Sequence, residues 1–274
     1  MFISGIGAIN ACGIGIECLE MLKQNSNIQD GIIGKDALHP LKNKYDLRRA
    51  DRYTSIVMAS AVQACADAGG ADCVQPDTGV IIVSAFGPHR TTFAFLNDIL
   101  DYAEDQVLPT TFSHSVHNAA ASYVASSLQI RGPAITLTGF EDVWFDALES
   151  SAIFLDSGCC GRILLIGAEE MALLTQSLTG ILPDSFPSNL KEGSLAFMLS
   201  SAPEGKNYTA VSCHRHASRG EKQDRHSSGG EVDYLLDFAF QTALAALASN
   251  RQPGTTISAN STSGLITFYK TVKS

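Results

Sequence analysis

Short apolar runs alternate with longer stretches of helical periodicity along this chain, a pattern typical of α/β proteins. The clearest run, TGVIIVSAF at residues 78–86, has no polar alternation, which predicts a strand buried on both faces. The pattern predicts further strands at residues 1–9, 134–138, 162–167 and 193–200 and near Ile257. It predicts helices at residues 15–25, 48–68, 91–103, 115–129, 144–155, 232–248 and 266–272.

Two segments show neither periodicity. Residues 26–47 contain Gly31, Gly34 and Pro40, which predict a long irregular excursion. Residues 215–230 are polar with few apolar positions, which predicts a mobile loop.

The arginines at 48, 49 and 52 form the one tight basic cluster and predict a solvated helix face.

Composition and net charge limit the kinds of molecule that this chain is expected to bind. Hydrophobic residues make up 45% of the 274 positions and charged residues 17%, and such an apolar surplus often lies in a subunit interface. The net charge of −9 argues against nucleic acid as a direct partner, because phosphate binding needs a basic face. It does not favour direct docking of an acidic carrier protein either.

The sequence predicts a cytoplasmic chain without metal. No run approaches the roughly 18 apolar residues of a membrane span, and the start MFISGIGAIN lacks a basic region of the signal-peptide type. The seven cysteines are scattered and include no C-x-x-C pair, which indicates reduced thiols rather than a zinc site. His114 and His117 are three apart, yet no third ligand lies in sequence reach.

The glycines at the start of the chain do not predict a nucleotide site. Residues 4–10 contain G-x-G, but Asn10 stands where a dinucleotide fingerprint has its third glycine. The following helix also begins too late to direct its N-terminus at a pyrophosphate. We therefore expect no cofactor.

Six segments, in order, resemble the β-ketoacyl synthases of the thiolase superfamily. FISGIGAINACGIGIECLEML resembles the family's opening strand, loop and helix, and RRADRYTSIVMASAVQACADAG its R-R-M-D-R helix. GVIIVSAFGPHRTTFAF is similar to the second strand and its glycine turn. LPTTFSHSVHNAAASYVASSLQIRGPAITLT, ILLIGAEE and EGSLAFMLS resemble the segments that lead to the nucleophile and the two that follow it.

The resemblance implies that the nucleophile is missing. Active members carry a cysteine nine residues after the glycine of G-P, at a helix N-terminus that favours the thiolate. Counting from Gly132, this position is Glu141, and no cysteine lies within fifteen residues of it. A carboxylate cannot form the acyl thioester that condensation requires. The alternative is that Glu141 and Asp142 are simply the acidic start of a solvated helix.

The resemblance also implies that the two catalytic histidines are missing. The family pattern N-A-H-G-T-S-T aligns best with residues 258–264, within one residue, which places Asn260 at the first histidine. Asparagine donates a hydrogen bond but does not shuttle a proton. The segment that carries the second histidine in the family belongs beyond Ser274.

The fold implied is α/β, a thiolase-like layered α-β-α-β-α arrangement with two stacked, mostly parallel sheets. Residues 1–204 resemble a complete ketosynthase-like N-terminal half, and residues 205–274, with room for two strands and two helices, a truncated C-terminal half. Family members pair through the strand at about residues 136–138. The implied interface or tunnel residues are Phe112, His117, Asn118, Thr136, Thr138 and Phe140. A satisfied buried histidine is an equal alternative for His117. For Phe112 and Phe140, core packing is favoured over tunnel lining, although one side chain can do both.

The resulting hypothesis is a non-catalytic, chain-length-factor-like subunit similar to those of aryl polyene synthesis. It would pair with an active β-ketoacyl synthase, as a heterodimer or a dimer of heterodimers. Its side chains would form part of the boundary of the acyl or polyene tunnel, and acyl carrier protein would reach it through the complex. The enzymatic alternative is a malonyl-carrier-protein decarboxylase of the loading-ketosynthase type that uses Glu141. A third is a homodimeric acyl-binding module.

Overall fold

The structure is a computed structural model that describes residues 1–24, 31–45, 47–140, 142–178, 191–203, 208–215, 235–260 and 264–270. Its strands are β1 (Phe2–Asn10), β2 (Gly13–Ile14), β3 (Gly79–Ser84), β4 (Ala134–Thr138), β5 (Arg162–Glu169), β6 (Gly193–Ser200), β7 (Thr209–Arg215), β8 (Thr256–Asn260) and β9 (Gly264–Tyr269). Its helices are α1 (Glu17–Gln24), α2 (Lys35–Lys44), α3 (Arg52–Asp67), α4 (His89–Asp101), α5 (Pro109–Ser115), α6 (Ala119–Ser127), α7 (Val143–Asp156), α8 (Leu173–Leu178) and α9 (Leu235–Arg251). Short 3₁₀ turns lie at Gly70–Cys73 and Glu104–Gln106.

The described strands form one sheet in the order β4-β3-β5-β6-β1-β7-β9-β8, with β2 paired to β1. The pairs β3–β4 and β3–β5 are parallel, and the other described pairs are antiparallel. The expected α/β class is therefore confirmed, but the two separate, mostly parallel sheets are not seen. The cause is the pairing of Phe2 with Ala210 and Ile3 with Thr209, which joins the strands of the second half directly to β1.

The thiolase-like layering is nevertheless present, because the long sheet wraps around its helices. α3 packs against β1, β5 and β6 on one face, and α6 packs beside it against β3 and β4. α7 and α9 lie on the other face, and α9 contacts β5 and β6 as well as β8 and β9. One helix layer is thus enclosed between two parts of the same sheet. The outer face of β7–β9–β8 is exposed at Ser212, His214 and Asn260 in the described residues.

The two glycines of β1 serve helix packing. A Cβ on Gly5 would lie 2.2 Å from the Ala64 carbonyl oxygen, and one on Gly7 would lie 2.1 Å from that of Ser60. The backbone of α3 therefore rests directly on β1, and the backbone N–H of Ile6 donates to Asp67 at 3.0 Å. Close helix–strand packing accounts for the G-x-G pattern without a nucleotide.

Two sequence expectations for secondary structure were wrong, and one strand was not predicted. Residues 35–44, within the expected irregular excursion, form α2. Residues 209–215, for which the pattern predicted no element, form β7. The expected helix at 266–272 is instead β9, in which Ile266 and Phe268 are buried and alternate with more exposed neighbours. The second half thus contributes three described strands and one described helix. The predicted loop at 215–230 lies outside the described residues except for Arg215, which ends β7.

The buried strand β3 is confirmed, since every residue from Gly79 to Ser84 is buried. The long helix expected at 48–68 begins at Arg52, where Asp51 caps it by accepting the Thr54 N–H at 2.7 Å. Across the described residues, none of the helices has the length and apolar character needed to cross a membrane.

Candidate functional site

The strand β4 forms one end of the sheet. It pairs with β3 from Val80↔Ala134 to Ser84↔Thr138, and no described strand pairs with its other edge. Thr138 is exposed, whereas Thr136 is half-buried with Ile135 and Leu137 on either side. An open strand edge with apolar side chains invites pairing with another chain. The structure thus places Thr136 and Thr138 on an edge that can accept a further strand.

The helix α4, which follows β3, exposes nearly all its apolar side chains. Its 13 residues include five large apolar ones, yet His89 is the one residue that is buried. The exposed apolar residues are Phe93, Leu96, Ile99 and Leu100, the last with 81% of its surface accessible. Such a helix in a folded protein indicates a surface that another molecule covers.

The helix α5 extends this apolar surface. Phe112 is 54% exposed, and its ring lies 5.3 Å from that of Phe95 on α4. Thr92 Oγ1 donates to the Ser115 carbonyl at 2.8 Å and so fixes α4 to the end of α5. We call the exposed residues Phe93, Leu96, Ile99, Leu100, Tyr102, Leu108 and Phe112 the α4–α5 face.

Phe140 lies between this face and the start of α7. Its ring meets Phe86 edge-on at 5.3 Å, and Phe86 in turn meets His89 at 6.0 Å, so an aromatic row connects the end of β4 with the start of α4. Phe140 is 49% exposed. The core alternative for Phe112 and Phe140 is therefore wrong, because both rings reach the surface.

His117 and Asn118 lie at the same edge of the fold. The ring of His117 covers the turn after β3, where Gly87 has φ +60° and a Cβ would lie 2.5 Å from the ring. His117 and Asn118 are both exposed, so the buried alternative for His117 is also wrong. His114, the other histidine of the rejected metal pair, bonds to the Tyr123 hydroxyl at 2.9 Å.

Glu141, which the family resemblance places at the nucleophile position, lies outside the described residues. Before it, the Gly139 N–H donates to the Ser84 carbonyl at 3.4 Å and so continues the pairing of β4 with β3, and after it Asp142 has φ +56°. α7 then enters the core with Val143, Trp144 and Phe145 buried. A positive φ is uncommon for residues other than glycine, and Asp142 adopts it directly before the buried start of α7.

Asn260, which the family resemblance places at the first histidine, ends β8 and is exposed, paired with Leu265. The chain returns at Gly264, where a Cβ would lie 2.5 Å from the Phe145 ring. The start of β9 therefore approaches the first turn of α7.

A pair of buried carboxylates holds the turn that leads to α4. Glu169, at the end of β5, accepts the backbone N–H of Ala85 and, at 3.2 Å, that of Phe86. Glu170 accepts the Arg90 N–H at 2.9 Å, and His89 Nδ1 lies 3.8 Å from it. Burial raises the pKa of Glu169 to about 8 and that of Glu170 to about 7, against the opposing effect of these N–H donors. The A-E-E segment thus orients the α4–α5 face.

These carboxylates predict a pH-dependent stability. A carboxyl with a raised folded-state pKa contributes stability at low pH that is lost as pH rises through that pKa. Glu170→Gln keeps an acceptor for Arg90 but does not titrate. We expect the unfolding free energy of wild type, relative to this variant, to fall by about 1–3 kcal/mol between about pH 5 and about pH 8. Urea unfolding at both pH values measures it, and a difference independent of pH would contradict it.

A third buried carboxylate, Glu192, connects two further motifs, the arginine-containing start of α3 and the E-G segment at the start of β6. Arg52 donates to it through Nε at 2.7 Å and Nη2 at 2.5 Å, and the Ile33 N–H donates at 2.8 Å. Arg52 therefore does not belong to a solvated helix face, as its sequence cluster indicated. Arg52 at the start of α3 and Glu192 just before β6 thus form one ion pair.

Comparisons with known proteins agree with this geometry. The sequence matches the family described as beta-ketoacyl synthase, N-terminal domain, over residues 37–252. No curated protein matches the chain.

Solved structures share the fold over nearly the whole chain. A chain of the ishigamide ketosynthase/chain length factor superimposes with a TM-score of 0.74 and 14% identity, covering 97% of each chain. A chain of the ketosynthase ApeO in complex with its chain length factor ApeC, from Xenorhabdus doucetiae, gives 0.65 and 14% over 98% of each. A chain of AntDE:AntF, a type II PKS acyl-carrier protein in complex with its ketosynthase, gives 0.76 and 11% over 98% of this chain and 99% of that one.

Proposed function

Because the chain belongs to the beta-ketoacyl synthase N-terminal domain family, we propose that it is the non-catalytic, chain-length-factor-like subunit of a synthase heterodimer. The observation that carries the proposal is the exposed α4–α5 face next to the open edge of β4. The fold shared with chains of ketosynthase and chain length factor complexes supports it. Its resemblance to aryl polyene proteins makes a fatty-acid or polyketide-type pathway of that kind the proposed context.

The pairing would use backbone as well as side chains. A strand of the active synthase that adds to the open edge of β4 would extend the sheet across the interface and satisfy its N–H and C=O groups. Thr136 and Thr138 lie on this strand. His117, whose ring covers the turn after the neighbouring strand β3, and Asn118 are both exposed. The α4–α5 face would then be covered by apolar surface of the partner.

The lack of condensing chemistry follows from the residues at the two motif positions. Glu141 offers a carboxylate where a thiolate must hold the acyl group, and Asn260 offers an amide where an imidazole must act. The active partner would supply both groups. This chain's contribution would be to shape the space into which the acyl chain grows. Carrier protein would then reach this chain through the complex.

The proposed role predicts that ring size at the interface sets product length. Phe140 presents an exposed ring on the proposed tunnel side, and removing the ring opens space for further extension units. We expect Phe140→Ala to shift products of the co-produced complex towards longer chains by at least one extension unit, read by mass spectrometry. Ile153→Ala, at an exposed position on α7, is the control. Unchanged product lengths in Phe140→Ala would contradict a tunnel-bounding role for this ring.

A further inference from the structure

A pocket opens in the α4–α5 face. It has a volume of about 360 Å³ and is lined by Phe95, Ile99, Tyr102, Val107, Pro109 and Phe112. The volume is close to the lower end for small-molecule sites, and the lining is apolar or aromatic. A single large apolar side chain inserted from another protein is the kind of group that such a pocket binds, as interface anchors do.

The chain segment that lines the pocket carries acidic residues and no lysine or arginine. Between Arg90 and Arg131 the sequence contains no lysine or arginine. Asp98 and Asp101 flank the lining residue Ile99, and Asp105 lies between Tyr102 and Val107. Asp101 and Asp105 are exposed, and no described residue forms an ion pair with them. We call these three aspartates, which neighbour the lining residues in sequence, the acidic rim of the pocket.

We propose that this pocket receives a large apolar side chain of the active synthase subunit that is flanked by lysine or arginine residues. The inference rests on the proposed heterodimer and adds the chemistry of the partner's contact segment. Positive charges beside the anchor neutralise the rim, and charge complementarity of this kind directs encounter and selects the partner. An acidic carrier protein would be repelled here, so this surface is assigned to the synthase.

A competition experiment tests the rim. Two differently tagged copies of this chain, one wild type and one variant, are co-produced with a limiting amount of the synthase, and their ratio in the purified complex is measured by mass spectrometry. We expect Asp101→Asn/Asp105→Asn to compete about threefold less well than wild type, and Asp101→Lys/Asp105→Lys at least tenfold less well. The matched control, Asp36→Lys/Asp156→Lys, makes the same change in net charge at exposed positions on α2 and α7 and should compete equally.

A second variant tests the pocket itself. Val107→Trp fills the space with an indole, and we expect it to compete at least tenfold less well than wild type. The inference is overturned if the lysine variant competes as well as the control, or if Val107→Trp competes as well as wild type. If wild type itself is not retained by any co-produced synthase, the proposed heterodimer fails, which is a separate result.

Discussion

We expect the double variant Leu100→Gln/Phe112→Gln to be recovered with a co-produced β-ketoacyl synthase about 100-fold less than wild type. Both side chains are exposed in this chain and lie on the α4–α5 face. If each of the two side chains contributes about 1.4 kcal/mol at the interface, which is tenfold in affinity, losing both lowers the affinity about 100-fold. Glutamine is polar and neutral, so the variant leaves the acidic rim unchanged.

The control for this variant uses equally exposed apolar residues outside the face. Met21 on α1 is 49% exposed and Ile153 on α7 is 62% exposed, and Met21→Gln/Ile153→Gln should be recovered like wild type. Both double variants should keep the unfolding free energy within about 0.5 kcal/mol per site, because the replaced side chains are not core residues. Pull-down with a tagged synthase, followed by quantitative mass spectrometry, gives the ratio. Equal recovery of the two variants would show that the face is not the interface.

The parts of the fold that the sequence predicted are those with a local signal. The unbroken apolar run around residues 79–84 predicted a strand buried on both faces, and the structure confirms it. α3 was predicted because its small and apolar residues keep a helical period and two glycines follow it. The close contact of Gly5 and Gly7 with α3 was not predicted, because it depends on the distance between two elements more than 40 residues apart in sequence.

The sequence-based predictions failed for segments whose secondary structure depends on pairing with strands distant in sequence. The segment 264–269 is short and apolar. Such a run is compatible with a helix or a strand, and its contacts in the fold determine which one forms. Its pairing with β7 on one side and β8 on the other makes it a strand. β7 was overlooked for the same reason, since its exposed Ser212 and His214 weaken the apolar signal.

Sequence motifs assigned individual residues to the candidate site, but they did not predict the exposed apolar surface of α4 and α5. Motif spacing alone identified the positions of Glu141 and Asn260, and those assignments stay predictions. α4 was predicted as a helix, yet its role as an exposed apolar face was missed. The signal was available, because Phe93, Phe95, Leu96, Ile99 and Leu100 cover more of the helix than one buried stripe requires. The carboxylates of Glu169 and Glu170 were seen as a motif, and the structure shows that they hold the turn before α4.

The second large effect concerns where the acyl group is held during synthesis. If the partner supplies the thiolate, acylation is confined to the partner, and a carboxylate at position 141 takes no part in turnover. Glu141→Gln should then leave the rate of malonyl decarboxylation and the yield of product within about twofold of wild type. A loading-type decarboxylase that uses Glu141 as its acid or base would instead lose about 100-fold or more.

Intact-mass analysis of the purified complex after incubation with acyl carrier protein tests this most directly. The account predicts an acyl adduct on the synthase subunit and an unmodified mass for this chain, in wild type and in Glu141→Gln alike. An acyl group covalently attached to this chain would contradict it.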